Sequence, residues 1–224
     1  HRGRPLVALW GFGFSDRAPM LEDWQRLIEF FKTEATPGGC SLMLGVPAYW
    51  RTRDRDAIAD PAWHQMLTKA DVISPWNVGR YHSPDSAKAH AAKTVAADLV
   101  WCNEREIDYL PVVFPGFSWH NLSASRGESA PLNAIPRLGG RFLWSQFRQF
   151  HRAGAKMFYV AMFDELDEGT AIFKCRSDVP VGESPFVNEP GVPNDQYLWL
   201  TGEGGRLLRG EIGSAGVAFP SRGK

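Results

Sequence analysis

Short apolar runs alternate along the chain with longer segments in which apolar residues return every third or fourth position. Pro5–Trp10, Cys40–Val46, Asp71–Pro75, Tyr109–Phe114 and Met157–Phe163 are short and nearly continuous, and they predict five buried strands. Between them the period changes. Pro19 opens a predicted helix with Leu21, Trp24, Ile28 and Phe31 on one face, ending before Pro37-Gly38-Gly39. A second helix starts after Asp60-Pro61. A third follows the N-cap and first-turn pair Ser83-Pro84, and Ala87, Ala91, Val95, Leu99 and Cys102 carry it to about Arg105. Arg141–Ala153 points Leu143, Phe147 and Phe150 inward and stops at Gly154. Asp195–Glu211 predicts a last helix, interrupted at Gly202–Gly205. The stretch from Phe117 to Gly140 has no period and is too long for an ordinary strand-to-helix connection, which marks it as functional or mobile. Cys175–Asn194, rich in Pro, Gly and Val, reads as loop.

Strand and helix thus alternate at about 30 to 40 residues per unit, the signature of a parallel sheet. Aromatic or polar residues follow every strand. That placement predicts an α/β fold of the (β/α)8 TIM-barrel type, because a barrel gathers all such loops on one face. One catalytic domain over residues 1–224 is expected. With five strands in view, the missing units of the barrel are expected upstream of His1, where the chain begins without Met or an apolar leader.

Composition narrows the function. A chain of 224 residues, 44% hydrophobic and 22% charged, can bury a sizeable core. Its 25 basic residues balance 25 acidic ones, so there is no excess field to attract nucleic acid. No stretch is apolar over about 18 residues, and no membrane span is expected. Cys40, Cys102 and Cys175 are far apart without CxxC spacing, which supports neither a zinc site nor a disulfide framework; they read as buried thiols with at most one pair bridged. Gly11-Phe12-Gly13 starts like a dinucleotide loop, but Asp16 stands where the third glycine belongs. Nine Trp and fourteen Phe are many for this length. Most such rings are core, and those at strand ends could stack on sugars.

The last predicted strand ends in four acids, Asp164, Glu165, Asp167 and Glu168, followed by Gly169. Glycosyl transfer to water needs two carboxyl groups about one anomeric carbon, and Glu165 and Glu168 can supply both. Repulsion between them would keep one protonated near neutral pH. A solvated acidic turn, a helix N-terminus and a divalent-metal site stay open, although no EF-hand spacing and no nearby His accompany the acids. Candidate sugar contacts follow the other strands: Trp10 after the first, Trp50 with Arg51 after the second, Trp76, Asn77 and Tyr81 after the third, and Trp119, His120 and Asn121 after the fourth. Arg126, Asp164 and Asp167 complete the set. His64, His90 and His151 fall on predicted helices and read as structural.

The run FDELDEGTAIFK resembles the catalytic segment of glycoside hydrolase families 71 and 99, notably the endo-α-mannosidase group, in which a Glu, two residues, a second Glu and Gly-Thr recur. Glu165, Glu168, Gly169 and Thr170 match that pattern, PVVFPGFSWHN at Pro111–Asn121 resembles the preceding strand and substrate loop, and Pro136 through Gln146 the connecting helix. The chain departs from it at Leu166 and Asp167, where the endo-mannosidases carry Trp and His. The resemblance implies a glycosidase cleaving an α-linked oligosaccharide or polysaccharide, with Glu168 as general acid/base and Glu165 assisting at the substrate 2-hydroxyl. It implies net retention through an anhydro-sugar in the endo-mannosidase group and inversion in family 71. No metal or organic cofactor is implied, and the substrate class implies a periplasmic or extracellular setting. A glycan-binding barrel without turnover and a metal-dependent hydrolase using the acids are the alternatives.

Overall fold

The computed structural model describes residues 1–17, 20–178, 182–213 and 218–222, so the helix-opening role expected of Pro19 lies outside the described residues. Their contacts gather into two compact units. The first comprises His1–Asn77 and Thr94–Pro111; the second comprises Val78–Lys93 and the described residues from Val112 onward.

In the first unit, β1 (Leu6–Trp10), β2 (Ser41–Pro47), β3 (Val72–Trp76) and β4 (Asp108–Tyr109) form one parallel sheet in that order. β2 is buried at every position, as an interior strand of small and apolar residues should be. β1 departs from expectation: among the described residues it pairs only with β2, and its residues are exposed or half-buried. The first helix, α1 (Leu21–Thr33), buries Ile28 completely, with Leu21, Trp24 and Phe31 partly covered on the same face. Asp71, just ahead of β3, ties α1 to the sheet, accepting from Lys32 Nζ at 2.6 Å, Leu42 N–H at 2.7 Å and Arg4 at 2.9 Å. Burial pushes its carboxyl up, but these partners outweigh that cost and hold it below its ordinary value. The Asp60 carboxylate caps α2 (Pro61–Met66) by accepting from Ala62 N–H at 2.8 Å.

Ser83 and Ser86 close a reciprocal capping box at the start of α3 (Pro84–His90). The helix expected to reach Arg105 instead passes through a π-helical segment, Ala91–Val95, into α4 (Ala96–Asn103). The expected strand Tyr109–Phe114 is two strands. Leu110 N–H still donates to Ile73 O at 2.9 Å, but Pro111 has no N–H to continue the ladder, and β5 (Val112–Val113) pairs in parallel with β6 (Tyr159–Val160) in a separate sheet. β6 is the remnant of the strand expected over Met157–Phe163. It ends early because the carbonyls of Met162 and Phe163 accept from the chain returning at Ile172 and Phe173.

The polar stretch after β5 contains a short helix, α5 (His120–Ser125), and an antiparallel bridge between Phe117 and Ile135 closes it. α6 (Arg141–Ala153) buries Leu143, Phe147 and Phe150 as expected and stops where Gly154 adopts φ 110°. α7 (Gln196–Leu208) is continuous, against the expected break at Gly202–Gly205. A Cβ on Gly204 would lie 2.9 Å from the Phe147 ring, so this glycine serves close packing between helices. The fold is therefore α/β with parallel strands. Among the described residues six strands lie in two sheets, and the closed eight-stranded barrel expected from the sequence is not among them.

Candidate active site

Because β5 and β6 are parallel, the connections that follow them leave from the same, C-terminal edge. After β6 the chain forms a loop pinned across its base. Met162 N–H donates to Thr170 O at 3.1 Å, Ile172 N–H to Met162 O at 3.1 Å and Phe163 O at 3.0 Å, and Phe173 N–H to Phe163 O at 2.9 Å. Within it the Glu165 carbonyl accepts from Thr170 N–H at 3.1 Å and Ala171 N–H at 2.8 Å. Gly169 turns the backbone at φ 67°, and a Cβ there would lie 2.8 Å from Val187 Cγ2, so the turn requires glycine on both counts. The loop after β5 fastens to this one: Ser118 N–H donates to Glu168 O at 2.8 Å, and Asn121 Nδ2 donates to Asp167 Oδ1 at 2.8 Å and Pro185 O at 3.0 Å.

This scaffold sorts the four acids. Asp164 and Asp167 are exposed, whereas Glu165 and Glu168 are half-buried. Burial raises the Glu168 carboxyl above its ordinary value, and the charges of Glu165 and Asp167 add to the rise. Desolvation is thus the larger lever, ahead of the repulsion that the spacing suggests. Chemically, the loop presents a proton donor of raised affinity next to a second carboxyl group. No three His, Cys, Asp or Glu side chains among the described residues are grouped so as to hold a metal ion.

Other candidates in the second unit divide. Trp119 is half-buried, packed edge-on against Phe117 at 4.4 Å between ring centroids, and its ring fills the space above Gly79. His120 Nδ1 lies 2.8 Å from Ala130 O, which fixes the proton on Nδ1 and holds the ring to its own loop. Arg126 is exposed just after α5. Tyr81 is a correction: it is 3% exposed among Phe114, Phe142 and Phe150, and its hydroxyl donates to Gln146 Oε1 at 2.9 Å. A side chain so enclosed has no face for a sugar.

In the first unit, Trp10 and Trp76 end β1 and β3 as an edge-to-face pair 5.4 Å apart, both half-buried. The Trp10 ring occupies the space that a Cβ on Gly45 would need. Trp50 and Asn77 are again corrections, since both are buried, Trp50 against Trp101 and His64. Arg51 is committed to buried Asp98, its Nε donating to Oδ1 at 2.7 Å. His64 and His90 lie on α2 and α3 in aromatic packing, and His151 lies on α6. All three cysteines are free, Cys175 half-buried and the other two buried. No helix among the described residues is long and apolar enough to cross a membrane.

Several neighbours of the acids escaped sequence reasoning. Phe163 is 59% exposed two residues before Glu165, although its apolar run marked it as strand interior. Ser118 and Arg137 reach the acidic loop from distant parts of the chain. Neither carries a local pattern that could have announced this.

No protein-family model matches the chain, and no curated protein sequence matches it. Solved structures do. A GH99 endo-α-mannosidase from Bacteroides thetaiotaomicron, in complex with BIS-TRIS propane, superimposes with a TM-score of 0.63 at 14% identity, over 93% of this chain and 59% of that one. A second structure of the GH99 endo-α-mannosidase from that organism gives a TM-score of 0.54 at 15% identity, over 90% of this chain and 65% of that one. The chain thus spans about three-fifths of the length of the structures it matches. At such identities the likeness is one of architecture, and what it shows is a GH99-like fold.

Proposed function

We propose that this chain belongs to a (β/α)8-barrel glycoside hydrolase acting on an α-linked glycan, with Glu168 as general acid/base and Glu165 as the second carboxyl group. The observation that carries this reading is the environment of Glu168. It is half-buried on a hydrogen-bonded loop at the C-terminal edge of β6, with its proton affinity raised by burial, Glu165 and Asp167. A departing glycosidic oxygen needs such a donor, and the anomeric carbon needs a second carboxyl group near it. The GH99-like fold supports the same reading.

In the proposed reaction Glu168 protonates the leaving oxygen while Glu165 accepts the proton of the substrate 2-hydroxyl, whose oxygen attacks the anomeric carbon. Water then attacks the anomeric carbon as Glu168 takes its proton, the bond from that carbon to the 2-oxygen breaks, and Glu165 returns its proton to that oxygen, giving net retention with both carboxyl groups restored. Trp119 offers a ring face for a sugar, and no metal or organic cofactor is required. On this reading the substrate is an oligosaccharide or polysaccharide, and the expected setting is periplasmic or extracellular. The test is a panel of α-linked oligosaccharides with the first-formed anomer observed by NMR. Hydrolysis with retention is expected; binding without hydrolysis of any glycan would point to a non-catalytic glycan-binding protein.

A pH dependence follows from the charges around Glu168. Activity should fall as pH rises through its raised pKa, because the acid must be protonated. Asp167→Asn removes one of the charges that raise it and leaves an oxygen to accept from Asn121. The alkaline limb of kcat/KM against pH should therefore move to lower pH; a limb that stays in place would separate Glu168 from the titration.

A further inference from the structure

We propose that Arg137 is a positioning residue that locks the acidic loop in its working shape, an inference that rests on the hydrolase reading above. Arg137 is 8% exposed, deep for a guanidinium. Its Nη2 donates to the Ala171 carbonyl at 2.6 Å, the first residue beyond Thr170 on the returning arm of the loop. The peptide group that presents this carbonyl also contains Ile172 N–H, which donates to Met162 O and Phe163 O across the base of the loop. A cation on the carbonyl polarises the peptide and strengthens its N–H as a donor. Ala171 N–H in turn holds the Glu165 carbonyl. One buried charge therefore acts on the bonds that fix the backbone of Glu165 and close the loop around Glu168.

Arg137 is itself held on three sides. Its Nε lies 3.6 Å from Glu189 Oε2, and its guanidinium sits 3.7 Å from the centroid of the Tyr197 ring. Glu189 accepts from Gly139 N–H at 2.9 Å and from the Tyr197 hydroxyl. The stem of Arg137 runs over Gly116, where a Cβ would lie 2.5 Å from its Cγ. The strut thus joins the loop after β5, the acidic loop and the start of α7.

The test replaces buried Arg137 and its half-buried partner by apolar residues, Arg137→Met with Glu189→Leu, an exchange that ion pairs withdrawn from water often tolerate without loss of stability. The double variant should fold, keep KM within about twofold and lose about 100-fold in kcat, the cost of misplacing catalytic groups by about 1 Å. Asp60→Ala serves as the control for stability alone: losing the cap of α2 should lower Tm while kcat stays at the parental value. Amide hydrogen exchange gives a readout independent of turnover, with protection of Ala171 and Ile172 falling in the double variant while α6 and α7 stay protected. A folded double variant with parental kcat overturns the proposal. Unchanged protection at Ala171 and Ile172 overturns it too, even where no glycan is hydrolysed, so its failure is distinct from failure of the hydrolase reading.

Discussion

Glu168→Gln should lower kcat by about 10²–10⁴-fold, the range contributed by a positioned general acid, while Tm holds or rises. The two halves of that result have one cause. Burial, Glu165 and Asp167 raise the Glu168 carboxyl, so its ionised form is disfavoured in the folded state. A folded pKa above the unfolded one gives stability that is present at low pH and is lost as pH rises through the folded value. At neutral pH a neutral Gln removes this cost along with the proton donor. Substrates whose leaving groups need no protonation should recover much of the lost rate, because the variant lacks only the acid for that step. Glu165→Gln should also lower kcat, but with no recovery on such substrates, since its proposed partner is the 2-hydroxyl. Parental turnover in both variants would falsify the assignment of the pair.

Arg51→Met should destabilise the first unit by about 3 kcal/mol at pH 8, because it leaves Asp98 charged and uncompensated in the core. Asp98 is 1% exposed, with Arg51 Nε at 2.7 Å and the Tyr109 hydroxyl at 3.1 Å. Burial raises its carboxyl to about 6 even against Arg51, Tyr109 and Trp50, all of which favour the charged form. The sign for this one group follows: the contribution of Asp98 to stability is fully present below the ordinary carboxylate range and is lost as pH rises through about 6. Removing Arg51 raises the carboxyl further and carries that loss on to higher pH. The difference between variant and parent, measured by urea unfolding, should therefore shrink from pH 8 to pH 4.5, where Asp98 takes up its proton. An equal loss at both pH values would show that the guanidinium contributes packing and little charge compensation.

Much of the architecture was legible along the chain. The starts of α2 and α3 follow from Asp60 and Ser83, whose side chains bond N–H groups two and three residues ahead, a relation that spacing alone reveals. Gly154 ends α6 for an equally local reason, its positive φ. The misreadings share an opposite origin. Gly202–Gly205 suggested a broken helix because glycine is a poor helix former, yet packing against Phe147 needs the bare Cα of Gly204. Phe163 and Tyr81 exchanged roles. The first lay in an apolar run and is exposed beside the acids, and the second followed a strand end and is enclosed by phenylalanines.

The alternation of strands and helices, the parallel arrangement of the strands and the arrival of four acids just past an apolar run are properties of neighbouring residues, and reading the residues in order was enough to see them. The raised proton affinity of Glu168, the enclosure of Asp98 and the reach of Arg137 to Ala171 are not. Each depends on how much water and how many polar partners remain around a group once residues tens of positions apart have met. Periodicity in a chain records which way a side chain points; desolvation is set by everything that comes to stand in front of it.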